Sequence, residues 1–281
     1  MSFCYRHPSN EAYVRCQRCE RFICPQCQVE APVGFLCPED AGNTVSAAAA
    51  GVANSAAQSA RVAANRVART ATPITWTLIA LNAAVWGLQL LIPSLTDQLV
   101  YWAGYTLSEP WRVVTSGFAH DPSNPLHILL NMYSLFILGS ALEPLLGKSR
   151  FLALYLFSLI AGSFGYLLLG DFTTTVLGAS GAIFGLMGAY FVILRTYGAR
   201  LGQIGSIIAI NLVFGFLIPG VAWQAHVGGL VGGALIAFIY SKTRMANQRV
   251  LQSSLVIVCF AVVVVATLVV GNDKTVGFFG F

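Results

Sequence analysis

The chain is 281 residues long, 56% hydrophobic and only 10% charged, with a formal net charge of +5. Globular domains carry about a quarter charged residues, so this composition excludes an ordinary water-soluble domain and points to a chain made for lipid. A positive balance can signal nucleic acid, but the basic residues here are dispersed. Their placement fits a membrane, and no nucleic-acid partner is expected. The amino terminus is Cys-rich and polar, with no apolar h-region, so no signal peptide is expected.

Residues 1–40 read as a separate small module. Four ligand-type pairs, each with two intervening residues, follow one another: Cys4 and His7, Cys16 and Cys19, Cys24 and Cys27, Cys37 and Asp40. That is the knuckle spacing of structural zinc. So short a segment cannot bury enough apolar surface to fold unaided. Disulfides are the alternative and require an oxidising compartment; a His and an Asp at pair positions favour metal. The arrangement resembles a B-box or RING-like cross-brace. The resemblance implies one ion among Cys4, His7, Cys24 and Cys27, and a second among Cys16, Cys19, Cys37 and Asp40, where Asp40 stands at a position usually Cys or His. Two structural Zn2+ are therefore expected, because a filled four-ligand site leaves no position for water. The module's partner is expected to be a cytosolic protein.

Residues 41–72 are rich in Ala, with Ser, Asn, Val and Arg and no acidic residue, and read as a basic linker. Arg61, Arg66 and Arg69 precede the first apolar run, where they would attract anionic headgroups.

From Pro73 onward seven apolar runs approach the roughly 20 residues that cross a bilayer as helix: 74–93, 126–146, 151–170, 178–194, 203–219, 223–241 and 251–270. The fourth and fifth are short or Gly-interrupted. The chain thus reads as an all-α polytopic membrane protein. The connection 94–125 carries Tyr101, Trp102, Tyr105 and Trp111, which suits the interfacial belt.

Lys and Arg set the orientation. One side receives Arg61, Arg66, Arg69, Lys148, Arg150, Arg195, Arg200, Lys242, Arg244 and Arg249; the other receives only Arg112 and Lys274. By the positive-inside rule the Cys-rich module is cytosolic, where thiols stay reduced. The expected location is the cell membrane.

A depth ruler then singles out one site. Asn131 stands 17 residues before Lys148, Ser180 stands 15 before Arg195, and His226 stands 16 before Lys242. At about 1.5 Å per residue, all three lie roughly 22 to 26 Å from the basic boundary, on three different helices. His127 lies one turn further out, on the face of Asn131. Ser180 is framed by Gly178 and Gly181. Gly181, Gly185 and Gly188 stud one span, and Gly228, Gly229, Gly232 and Gly233 another, so the two backbones can approach closely. A serine hydroxyl needs a neighbouring base to become a nucleophile, and His226 is the only candidate at that depth. With no carboxylate placed to complete a triad, a Ser–His dyad is expected. The Asn131 amide, the Ser180 N–H and His127 are the candidate oxyanion donors. Catalysis would require no cofactor.

With these residues in place, the chain resembles a rhomboid intramembrane serine protease over about residues 74–270. The matching features are Trp111-Arg112, His127-x3-Asn131, Glu143, Gly178-Ala179-Ser180-Gly181 and Ala225-His226-x2-Gly229-x3-Gly233. The resemblance implies a six-span core over 73–250, with 251–281 an additional span and tail. It implies Ser180 as nucleophile, His226 as base, and His127, Asn131 and the Ser180 backbone as oxyanion hole. It places Phe184 where an aromatic packs on the catalytic ring, and it implies transmembrane proteins as substrates. The rival readings are a catalytically inactive rhomboid-like adaptor that binds membrane clients while its zinc head recruits a partner, and a transporter, which would need inverted repeats.

Overall fold

A computed structural model of the chain describes residues 2–42 and 72–279. Arg61, Arg66 and Arg69, with nearly all of the expected linker, lie outside the described residues. The chain divides into two compact units, Met1–Arg69 and Thr70–Phe281.

The first unit is built on turns rather than on a large core. Strand β1 (Val14–Arg15) pairs antiparallel with β2 (Phe22–Ile23), and β3 (Val29–Glu30) pairs with β4 (Phe35–Leu36). The Gln17 N–H donates to Phe35 O at 3.0 Å and joins the two hairpins. The interior consists of Ala12, Ile23 and five buried cysteines: Cys4, Cys16, Cys24, Cys27 and Cys37. A core with so few aliphatic side chains needs a further cross-link to hold its shape.

The second unit is a helical bundle. Its long elements are α1 (Pro73–Leu91), α4 (Pro125–Leu146), α5 (Lys148–Leu169), α6 (Ser180–Thr196), α7 (Gly202–Leu217), α8 (Trp223–Lys242) and α9 (Arg249–Phe279). Two short helices, α2 (Ser94–Leu99) and α3 (Arg112–Thr115), lie in the first connection. Proline opens α1 and α4 at their first position, where no helical N–H is lost. Among the described residues, five helices are long and apolar enough to cross a membrane; α6 and α7 are shorter. The run expected from 178 begins as helix only at Ser180, because Gly178 has φ +119° and cannot continue one. The final helix runs past the expected end at 270 to Phe279, about 46 Å in all.

Helices α5, α6 and α8 form the centre, with Phe151, Leu154, Tyr155, Leu186 and Ile236 fully buried among them. The α6–α8 contact is backbone against backbone. A Cβ on Gly229 would overlap the Gly181 carbonyl oxygen and stand 2.7 Å from its carbon. One turn along, a Cβ on Gly233 would overlap the Gly185 carbonyl. Gly228 points elsewhere, with a virtual Cβ 2.9 Å from Gly165 Cα of α5. The outward faces of the peripheral helices are apolar, as on α4 at Leu126, Leu129, Leu130 and Tyr133; lipid, not protein, is their solvent.

Two polar clamps fix the periphery. The Glu143 carboxylate, 2% exposed, accepts from the Ile74 N–H at 3.0 Å, the Thr75 N–H at 2.8 Å and the Thr75 hydroxyl at 2.7 Å, thereby capping the start of α1. Arg112, also buried, donates to Asp97 O, to Val100 O at 3.0 Å and to Glu109 at 2.6 Å. It ties the 94–124 connection together. Tyr101 in that connection is fully buried, with its hydroxyl 2.8 Å from Thr106 Oγ1. Trp111 remains exposed.

Candidate active site and candidate metal centres

The segment entering α6 is shaped by its neighbours. Strand β6 (Thr175–Val176) pairs antiparallel with β5 (Tyr101–Trp102). Two residues later the Gly178 N–H donates to Ser116 O at 2.9 Å. Gly178 is required twice over: its φ is left-handed, and a Cβ there would meet His127 Nε2 at 2.7 Å. Ala179 is fully buried, and the helix starts on Ser180. The Ser180 N–H is thus among the first-turn donors that a helix leaves without an internal partner.

His226 Nε2 lies 2.9 Å from Ser180 Oγ. The two residues come from α6 and α8, whose glycine contacts bring them together. Phe184, one turn after the serine, stacks on the imidazole with centroids 4.2 Å apart and planes 11° apart. His226 Nδ1 is buried and has no hydrogen-bond partner among the described residues. Among the described residues no carboxylate bonds the ring, and Phe184 stacks against it. A hydroxyl at this distance can pass its proton to a neutral imidazole nitrogen.

His127 stands beside this pair. Its Nδ1 accepts a long hydrogen bond, 3.5 Å, from the Asp121 N–H. A neutral ring that accepts there carries its proton on the other nitrogen, beside Gly178. Asn131 lies on the same face of α4, 7% exposed, and its amide donates to His127 O at 2.8 Å. The structure therefore brings Ser180, His226, His127 and Gly178 together, while the Asn131 amide is held along its own helix. A cavity of about 20 Å³, room for roughly one water, opens beside Ser180 between Ser116, Gly162, Ser163 and Gly181.

Sequence reasoning passed over His120. It is fully buried, its ring centroid is 5.0 Å from that of His127, and neither ring nitrogen has a partner among the described residues. Burial, with His127 alongside, holds its pKa down to about 4. Gln89 fixes this turn by donating to His120 O and accepting from the His120 N–H, both at 3.0 Å. The available signal was a histidine seven residues before His127, in the loop that leads into α4.

In the first unit the ligand-type atoms of Cys4, His7, Cys24 and Cys27 lie within 4.8 Å of one another, as do those of Cys16, Cys19, Cys37 and Asp40. Every cysteine is a free thiol. Tetrahedral zinc with Zn–S of about 2.3 Å and Zn–N of about 2.0 Å requires S···S edges near 3.8 Å and S···N edges near 3.5 Å. The observed Cys19–Cys37 separation is 3.8 Å, and His7 Nδ1 lies 3.5 Å from Cys24 Sγ and 3.3 Å from Cys27 Sγ. Asp40 Oδ2 lies 3.3 and 3.1 Å from Cys16 and Cys37. Both donor sets fit the ion.

Residues 107–243 match the model of the Rhomboid domain family. The chain is 33% identical over 180 residues to the rhomboid relative YdcA of Bacillus subtilis, covering 59% of this chain and 88% of that one. The chain belongs to the rhomboid family. It is also 31% identical over 216 residues to rhomboid protease AarA of Providencia stuartii, covering 62% and 76% of the two chains. With rhomboid protease GluP of Bacillus subtilis it shares 36% over 156 residues, which span only 30% of that longer protein. Family and apolar helices together make this rhomboid a multi-pass integral membrane protein. The first unit lies outside the family match, so its reading rests on its own geometry.

Proposed function

We propose that this rhomboid is an intramembrane serine endopeptidase that cleaves transmembrane proteins through a Ser180–His226 dyad. The observation that carries the proposal is the 2.9 Å contact between Ser180 Oγ and His226 Nε2, made by residues 46 apart on two buried helices. His226 takes the hydroxyl proton as Ser180 attacks the scissile carbonyl, and then returns it to the leaving amine. The developing oxyanion is met by the Ser180 N–H and the Nε2–H of His127, with the Asn131 amide joining if it turns from His127 O. Water enters through irregular backbone at this end of the bundle and hydrolyses the acyl-enzyme.

The Lys and Arg asymmetry puts this end of the bundle on the extracytoplasmic side and the first unit in the cytosol. There the two four-residue clusters, each of three cysteines with His7 or Asp40, would each hold one Zn2+, which would supply the cross-links the small core lacks.

The test is cleavage of a transmembrane substrate by the purified chain in liposomes, together with fluorophosphonate labelling and mapping of the labelled residue. Ser180→Ala abolishes both. Cleavage that survives Ser180→Ala would refute the Ser180 protease, and no cleavage by wild type would leave the client-binding adaptor.

A further inference from the structure

Helix α9 lies outside the family match, yet it is bound to the rest of the bundle by specific contacts along its whole length. One face is buried at Gln252, Val256, Val263, Thr267 and Gly271, spacings of four and seven that keep one side inward. The opposite face, with Val258, Val262, Val265 and Val269, is exposed to lipid. Two apolar helices in lipid gain nothing from water exclusion, so packing and hydrogen bonds decide where such a helix sits.

The contacts at the Ser180 end reach the loop that leads to the serine and two segments beside it, the end of α5 and the 94–124 connection. The α9 backbone at Gly271 abuts Thr106, where a Cβ would meet Thr106 Cγ2 at 2.5 Å. Lys274 Nζ donates to Leu168 O at 2.9 Å. Phe278 packs on Phe172, with centroids 4.6 Å apart. From Phe172 the path to the site is short. The Trp102 indole N–H donates to Phe172 O at 2.5 Å, Trp102 pairs with Thr175 and Tyr101 with Val176, and four residues later stands Ser180. Val270 joins Tyr101, Val176 and Ala225, the neighbour of His226, in one apolar cluster.

We propose that α9 is a tether for the entry into α6, with Gly271, Lys274 and Phe278 as positioning residues that fix the segment carrying Gly178 and Ser180. The inference rests on the protease reading and adds to it a role for the seventh helix. A released loop misplaces the oxyanion donors and the Ser180 hydroxyl while leaving the lipid-facing surface intact. The chemical step suffers, and substrate capture does not.

The test uses the full chain in liposomes with a transmembrane model substrate, comparing wild type, Phe278→Ala, Phe278→Leu, Lys274→Gln and Ser180→Ala. Phe278→Ala and Lys274→Gln lower kcat and the rate of fluorophosphonate labelling by tens of fold, about 100-fold at most, with KM within about twofold of wild type. Phe278→Leu, which keeps an apolar contact on Phe172, recovers most of the rate. Rates are normalised to the folded fraction. Unchanged labelling and kcat in both tether variants would overturn the inference, as would losses that vanish on normalisation or appear wholly in KM. If Ser180→Ala is inactive and the tether variants behave as wild type, the tether alone falls. If Ser180→Ala still cleaves, the tether falls with the protease.

Discussion

Gly229→Ala is the most informative single change in this rhomboid. The added methyl would overlap the Gly181 carbonyl oxygen and stand 2.7 Å from its carbon, where an ordinary contact begins at 3.4 Å. The obstacle is helix backbone, so no side chain can rotate away. Helices α6 and α8 must part by more than about 1 Å, at the usual overpacking penalty of about 1–3 kcal/mol. That movement carries Ser180 Oγ from 2.9 Å to nearly 4 Å from His226 Nε2, beyond hydrogen-bond reach. Loss of a positioned base removes about 10²- to 10⁴-fold of rate. Gly228→Ala is the control. Its methyl meets Gly165 on α5, so it strains the bundle without driving a wedge between the two helices of the dyad. The assay is kcat and fluorophosphonate labelling per folded molecule, alongside the melting temperature of each variant. Similar melting losses with a much larger rate loss for Gly229→Ala are expected. Equal rates per folded molecule in the two variants would refute the claim that the glycine seam sets the dyad distance.

Glu143→Ala leaves the Ile74 and Thr75 donors unpaired and buried, each at about 1–3 kcal/mol; the melting temperature falls clearly while the labelling rate of the folded fraction persists, and an unaltered melting temperature would contradict the capping role. His120 makes stability depend on pH. Its folded pKa of about 4 lies below the usual histidine value of 6.5, so the unfolded chain takes the proton first. Stability is full above pH 6.5 and falls as pH drops toward 4, by no more than about 3 kcal/mol. His120→Leu flattens the melting-temperature profile across that window, and an identical slope in the variant would exclude His120 as its source. In the first unit, metal analysis of the full chain gives two zinc ions for wild type and one for Cys37→Ser. Arg21 donates to Cys19 Sγ at 3.2 Å and pairs with Glu39 at 2.8 Å. Arg21→Gln therefore weakens the Asp40-containing site about 10- to 100-fold in chelator competition and spares the other; equal weakening of both sites would contradict that local role.

Much of this protein is legible in one dimension because membranes impose one-dimensional rules. Helices must satisfy their own backbone in lipid, so apolar length and proline starts mark the spans. A shared depth measured from basic residues singles out Ser180 and His226 before any fold is drawn. Paired Cys, His and Asp spacing marks the donor clusters of the small unit, because ligand pairs on knuckles are local in sequence. Tertiary structure alone decides directions. Adjacent glycines 228 and 229 face different helices, and only the bundle assigns one to α5 and the other to α6. The left-handed φ of Gly178 delays the helix to Ser180, and Asn131 turns its amide to its own helix. His120 enters the neighbourhood of His127 only when Gln89 folds the loop back, and α9 reaches Thr106 and Phe172 across more than a hundred residues. Depth and periodicity are set by each segment's own contact with lipid. Facing, distance and tether are set by how neighbouring backbones interlock, which no single segment encodes.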